Sequence, residues 1–213
     1  ALIDLASDLE VAPESLRQQL GFKSLRTRQY REKFLSKPDF LTLTNSCLES
    51  NNPFLLDIVL LLTLTGARKR EILDSKWAFI DLGNGILNVP VSKNGDIRRV
   101  YLNDQSIRIF EAVKIKNQNL NSEFVFPNMN TGKPYQCIYH SWNLARQNAG
   151  LNEVRFHDLR HSFASALVNE GVPIYDVQHL LGHKSVKTTQ RYAHLQANRL
   201  RSSSFASGKF YFS

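Results

Sequence analysis

The sequence predicts an α+β fold that is mainly α-helical and carries one small antiparallel β-sheet. Three observations predict it. Apolar residues recur at helical spacing through most of the chain beyond residue 34. Between residues 77 and 102 the period shortens to strand alternation, and Asn94-Gly95 supplies a strong two-residue hairpin signal. The final third returns to helical spacing, punctuated by Gly171 and Gly182 where helices should end.

The elements follow in order. Residues 1–33 stand apart: Asp4, Asp8, Glu10 and Glu14 come first, then Arg17, Lys23, Arg26, Arg28, Arg31 and Lys33. This reads as a linker or the remnant of a preceding domain. Its basic half suits a phosphate backbone, and a solvated linker is an equal alternative. From about Phe34, residues 41–48 form a short amphipathic stretch. Residues 53–64 read as a buried helix with Pro53 in its first turn. Thr65-Gly66 breaks it, and 68–73 starts another helix. Strands are expected over 77–82, 85–91 and 97–102. Helices follow over 104–117 and 136–149, with the apolar run Phe124-Val125-Phe126 between them. The last helices cover 157–170 and 173–181, and a final one is capped by Ser185.

At 213 residues the chain suffices for one sizeable domain with a short appendage. Lys plus Arg number 27 against 19 Asp plus Glu, a net charge of +8, which favours a polyanionic partner. On charge alone, a basic solvated surface is an equal reading. Cys47 and Cys137 are too few for a disulfide framework, lack metal-like spacing and sit in apolar sequence surroundings. A reducing compartment, the cytoplasm, is expected. The longest apolar stretch, 54–64, contains Asp57 and is too short to span a bilayer, so no membrane partner is expected. The chain starts at Ala1 without a signal-peptide pattern and reads as a fragment of something longer.

Three motifs carry chemistry. In Thr65-Gly66-Ala67-Arg68-Lys69-Arg70-Glu71-Ile72-Leu73, Arg68 follows a glycine turn at a helix start, where backbone N–H groups also face an anion. Glu71, one turn on, is placed to orient its guanidinium. In His157-Asp158-Leu159-Arg160-His161, His157 and Arg160 share a helix face, pairing a proton carrier with a fork of donors that fits two phosphate oxygens. The same stretch resembles the zinc-protease pattern H-E-x-x-H with Asp158 for Glu, although Arg160 beside His157 and His161 would repel a dication. The third motif runs from Leu180-Leu181-Gly182-His183 to Gln190-Arg191-Tyr192. His183 projects from a turn, and Tyr192 lies about two helical turns into the next helix. Alone, Tyr192 is a core or interface aromatic. Beside two arginines and two histidines, its phenol describes a nucleophile facing a phosphodiester.

Through these boxes the chain resembles the tyrosine recombinases, the family of phage-type integrases and site-specific DNA recombinases. The resemblance covers roughly 34–195, which would be the catalytic domain, with 1–33 the linker or remnant of a DNA-binding domain. It implies breakage and rejoining of DNA strands through a 3′-phosphotyrosine. The implied catalytic set is Arg68, Lys93, His157, Arg160, His183 and Tyr192, with Glu71 and His161 in support. Lys93, in Val91-Ser92-Lys93-Asn94-Gly95, rests on the resemblance, which puts the family's active-site lysine in a β-hairpin. Residues 41–48 depart from the family in lacking acidic residues common there, and little before residue 34 could form the usual DNA-clamping domain.

In the implied mechanism Arg68 and Arg160 stabilise the phosphorane charge and His183 adds a hydrogen bond. Tyr192 attacks, His157 takes its proton, and Lys93 protonates the departing 5′-oxygen. No cofactor, metal, ATP or small-molecule substrate is expected. The implied partners are double-stranded DNA and other protomers of the same protein in a synaptic assembly. The implied setting is a mobile genetic element in the bacterial cytoplasm. The tail over 196–213 carries Phe205, Phe210, Tyr211 and Phe212 and is expected to pack on its own domain or to dock on a neighbouring protomer. Two alternatives stay open: a topoisomerase using the same 3′-phosphotyrosine, and a catalytically silent DNA-binding regulator with this fold.

Overall fold

The computed structural model describes residues 34–90, 97–120, 122–183 and 185–199, the side chains of 196–199 excepted. The expected linker over 1–33, Lys93 with Asn94-Gly95, and the side chains of the tail over 196–213 lie outside the described residues.

Helix α1 spans Lys37–Leu48 and begins before the apolar spacing suggested. The reason is a capping box. Ser36 Oγ accepts the Asp39 N–H at 3.2 Å, and the Asp39 carboxylate accepts the Ser36 N–H at 3.3 Å. Helix α2, Leu55–Thr65, is the centre of the main core, and Leu55, Ile58, Val59 and Leu61 are fully buried. Pro53 lies in the turn before it, not in its first helical turn as the sequence suggested. Asp57, the one charge in this run, is neutralised by Lys116 at 2.7 Å. Gly66 ends α2 in the left-handed region (φ 61°), and α3 follows over Lys69–Leu73.

The expected first strand is mostly not a strand. Trp77–Phe79 is a 3₁₀ turn, because the chain just before it pairs elsewhere: the Trp77 N–H bonds to Glu123 O and Ser75 O accepts from Val125. That pairing also carries Val125 and Phe126 into full burial. Strands β1 (Ile80–Asp81), β2 (Ile86–Pro90) and β3 (Ile97–Tyr101) form an antiparallel sheet in the order β1-β2-β3. A two-residue turn at Asn94-Gly95 with an unbroken ladder would set Arg98 opposite Val91, whereas Arg98 lies opposite Val89.

Helices α4 (Asp104–Lys116) and α5 (Tyr139–Asn148) pack against α2 and α1 respectively. Helix α6 (Phe156–Asn169) crosses α2, and α7 (Ile174–Leu181) ends at Gly182 with φ 64°. The last helix, α8, is a single turn, Val186–Thr189, that passes into a 3₁₀ run over Gln190–Arg199. Ser185 holds its N-cap place but makes no side-chain cap bond, which corrects the expected capping by its side chain. The apolar interior falls into two clusters: one around α2, the other of Ala164, Val168, Val177, Leu181 and Tyr192.

Of the cysteines, Cys47 is buried, its thiol pushed up to about 12 by desolvation, while Cys137 is exposed, contrary to its apolar neighbours in sequence. Among the described residues no helix is long and apolar enough to cross a membrane.

Gly66 matters twice, for its left-handed backbone and for space: a Cβ there would meet the Phe163 ring at 2.3 Å. Gly132 shares the positive φ (66°) but a Cβ would meet nothing within 4 Å. Gly132→Ala should therefore lose only the backbone term, about 1–2 kcal/mol. Gly66→Ala should lose that and a further ~1–3 kcal/mol for overpacking. Urea unfolding of the two variants checks the difference, and equal losses would remove the packing argument.

Candidate active site

The site begins with the start of α3. Glu71 accepts the Arg68 backbone N–H at 2.7 Å through one carboxylate oxygen and the Arg68 guanidinium at 2.8 Å through the other. One side chain thus caps the helix and aims the arginine, as its spacing suggested. The Arg68 side chain is half exposed, and its second terminal nitrogen lies 3.4 Å from Gly182 O.

Arg160 is held differently. It is 4% exposed, and its guanidinium donates to Gly66 O and to Leu181 O, both at 2.5 Å. These carbonyls lie at the C-termini of α2 and α7, the negative ends of the helix dipoles. Burial lowers its pKa to about 10, so it stays charged at neutral pH. Arg68, Arg160 and His157 line one open cavity of about 370 Å³ together with Ala67, Lys69, Arg70 and Phe156.

His183 follows the α7 cap, with Nδ1 2.9 Å from Thr189 Oγ1 and its own carbonyl accepting from Gln178 at 3.0 Å. Burial first, and then Arg160, Arg68, Arg191 and Arg98, bring its pKa down to about 4. His157 is lowered by burial and then by Arg160. His161 is lowered to about 4, chiefly by burial and next by His157, whose ring meets it edge-on at 4.6 Å between centroids. All three imidazoles are neutral at pH 7, because burial first and the neighbouring positive charges second disfavour a further proton.

Tyr192 is 2% exposed and belongs to the second core cluster. Its hydroxyl shares a hydrogen bond with His161 Nδ1, and it does not line the cavity of Arg68 and Arg160. The structure therefore brings together Arg68, Glu71, His157 and Arg160, sets His183 and Tyr192 within electrostatic reach of Arg160, and seats the Tyr192 hydroxyl on His161 outside their cavity. Lys93 lies outside the described residues. Asp158, the would-be protease base, is 3% exposed and fully engaged at the start of α6. It accepts the Arg155 N–H at 2.8 Å and the Arg155 guanidinium at 3.1 Å. A carboxylate spent on capping cannot also serve a metal-bound water.

Sequence reasoning missed Arg98. It lies on β3 with its side chain only 10% exposed and pairs with Glu71 at 2.5 Å. The signal was its phase. Arg98 falls two residues before the buried Val100, on the inward face of an amphipathic strand, where a cation needs a reason.

Residues 33–199 match the model of the phage integrase family. The chain belongs to that family. It is 30% identical to the tyrosine recombinase XerA of Saccharolobus solfataricus over 83% of this chain and 57% of that protein. The integrase of Salmonella phage P22 is 33% identical over 64% of this chain and 38% of that protein. Among solved structures, the catalytic domain of bacteriophage HP1 integrase aligns at a TM-score of 0.61 with 26% identity, over 80% of this chain and 92% of that one. The chain spans about half the length of the curated relatives it matches.

The lowered histidines set a pH dependence. Their folded pKa values lie below the unfolded value of about 6.5, so the unfolded chain binds more protons in between. The stability they allow is complete above about 6.5 and is lost as pH falls toward about 4, the value for His161 and His183. Thermal melts at pH 7 and pH 5 should show a lower Tm at pH 5, and His161→Asn should shrink that difference. Identical pH slopes in both proteins would count against a buried neutral His161.

Proposed function

We propose that this phage integrase family chain is the catalytic part of a site-specific DNA recombinase. It breaks and rejoins strands through a 3′-phosphotyrosine, with double-stranded DNA and further protomers as partners. The observation that carries the reading is the convergence of Arg68, Arg160 and His157 on one cavity. Arg98 stands behind Arg68, and Glu71 is the carboxylate paired with both. A site with that surplus of fixed positive charge is preorganised for an anion with several oxygens.

The roles follow from chemistry. The guanidinia of Arg68 and Arg160 hold the non-bridging oxygens and stabilise the charge gained in the pentavalent transition state. Tyr192 forms the new bond to phosphorus, the bond to the 5′-oxygen breaks, and the tyrosine proton passes to neutral His157. Lys93 gives a proton to the departing oxygen, and His183 donates to a phosphate oxygen. Because the phosphotyrosine keeps the bond energy, a 5′-hydroxyl reverses the step without ATP, and the arginines do the work otherwise left to a metal. For attack, Tyr192 has to leave His161. Its 3₁₀ run over Gln190–Arg199 is far longer than the three or four residues usual for that geometry, which makes it the natural element to rearrange. The names of the relatives, recombinases and integrases, support exchange of strands over relaxation by a topoisomerase.

The test is a nicked suicide substrate that traps the covalent adduct. Wild type should form it, and Tyr192→Phe should form none while still binding DNA. Undiminished adduct in the phenylalanine variant would remove Tyr192 as nucleophile. Arg160→Lys should be nearly as impaired as Arg160→Ala, since lysine keeps the charge without the planar fork. For Lys93, a bridging 5′-sulfur makes a leaving group that needs no proton, so Lys93→Ala should be slow on normal DNA and close to wild type on the sulfur substrate. Equal impairment on both would assign Lys93 to binding.

A further inference from the structure

Arg98 is a cation with a side chain only 10% exposed that the roles above leave unused. Its guanidinium spans two parts of the site. One terminal nitrogen meets Glu71 Oε2 at 2.5 Å, and the other donates to Leu180 O at 3.1 Å and Leu181 O at 2.8 Å. Glu71 in turn grips Arg68, and Leu181 O is also an acceptor for Arg160. The residue after Leu181 is Gly182, whose added Cβ would lie 2.1 Å from Arg98 Nε and 2.9 Å from Cδ. Glycine is needed there to let the arginine lie against the backbone, and His183 is the next residue.

Stability does not explain this arrangement. Arg98 Nε is buried with no hydrogen-bond partner. Desolvation is the largest influence on its charge, opposed by Glu71 and reinforced by Arg68. A well-packed apolar side chain of similar length avoids both costs, and such replacements of buried ion pairs are often neutral or stabilising. What an apolar side chain cannot do is hold a carboxylate and two carbonyls in one rigid fork.

We propose that Arg98 is a positioning residue for phosphoryl transfer: by gripping Glu71 and the α7 C-terminus together, it fixes the spacing between Arg68 and the His183 turn so that both meet the same phosphate. This rests on the recombinase reading above. Arg98 needs no contact with DNA for the role, since it acts through Glu71 on Arg68 and through Leu180 and Leu181 on His183.

The experiment measures single-turnover adduct formation by wild type, Arg98→Met and Arg98→Lys on a suicide substrate. A second substrate carries a methylphosphonate at the scissile position, which removes the charge that the site must neutralise. On the phosphate, Arg98→Met should lose about 10²-fold, the scale of an ångström of misplacement, with DNA affinity and Tm near wild type. On the neutral methylphosphonate the deficit should fall well below that, in parallel with that of Arg68→Ala. Should Arg98→Met fail to fold, Arg98→Lys decides. Lysine reaches the carboxylate or the carbonyls but not both, so a folded lysine variant should be impaired in the same substrate-dependent way. Wild-type rates in a folded Arg98 variant, or an equal deficit on both substrates, would overturn the positioning role alone. Absence of adduct from wild type would overturn it together with the recombinase reading.

Discussion

The rest of the site depends on how a buried guanidinium is satisfied. Arg160 has almost no solvent, so its charge has to be met by acceptors, and it finds Gly66 O and Leu181 O. Each lies at the end of a helix closed by a left-handed glycine, Gly66 after α2 and Gly182 after α7. Such ends leave carbonyls without helical partners and carry the negative pole of the helix. Two helix termini from the two apolar clusters therefore point at one cation on a third helix, α6. That single demand sets the angle at which α7 meets the main core, and hence where His183 and α8 begin.

Placing Arg160 there has an electrostatic consequence. Arg68 and Arg98 share one carboxylate, Glu71, and Arg160 rests on neutral carbonyls. Positive charge outruns negative charge, and it adds to burial, the larger cause, in lowering the affinity of the neighbouring imidazoles for protons. A neutral His157 is ready to accept a proton, whereas a cationic one is not. Burial, with the charge surplus second, thus holds His157 neutral.

The helical boxes were legible because their information is local. Thr65-Gly66 and Gly182 mark chain reversals that only positive φ allows, and the three-residue spacing of His157 and Arg160 fixes a common face on any helix. The Glu71 to Arg68 contact was legible for the same reason. Arg98 was not, since its partners are 27 and 82 or 83 residues away. The 77–82 strand failed similarly: its propensity was read correctly, but Ser75 and Trp77 pair with the 123–125 run, a partner that no local pattern announces. Tyr192 was singled out by its company with Arg68, His157, Arg160 and His183, but its resting place was not legible, because a spacing of residues says nothing about which rotamer and backbone the packing selects.

That resting place has an energetic implication. If Tyr192 is the nucleophile, bringing its hydroxyl into the arginine cavity removes an aromatic from a small cluster and breaks its bond to His161. Lost burial of a large side chain costs about 1.5–3 kcal/mol. The lost hydrogen bond adds roughly 0.5–1.5 kcal/mol. A gap of about 2–4.5 kcal/mol leaves the exposed tyrosine at roughly one molecule in thirty to one in two thousand. A phosphodiester in the cavity changes that balance only if it favours the exposed state, and a charge-assisted contact to a leaving tyrosine is one way to do so. The arrangement then separates two jobs that would conflict if always combined. In that reading the arginines hold the phosphate, and the phenol stays hydrogen-bonded to a neutral histidine until the segment bearing it is drawn out of the core.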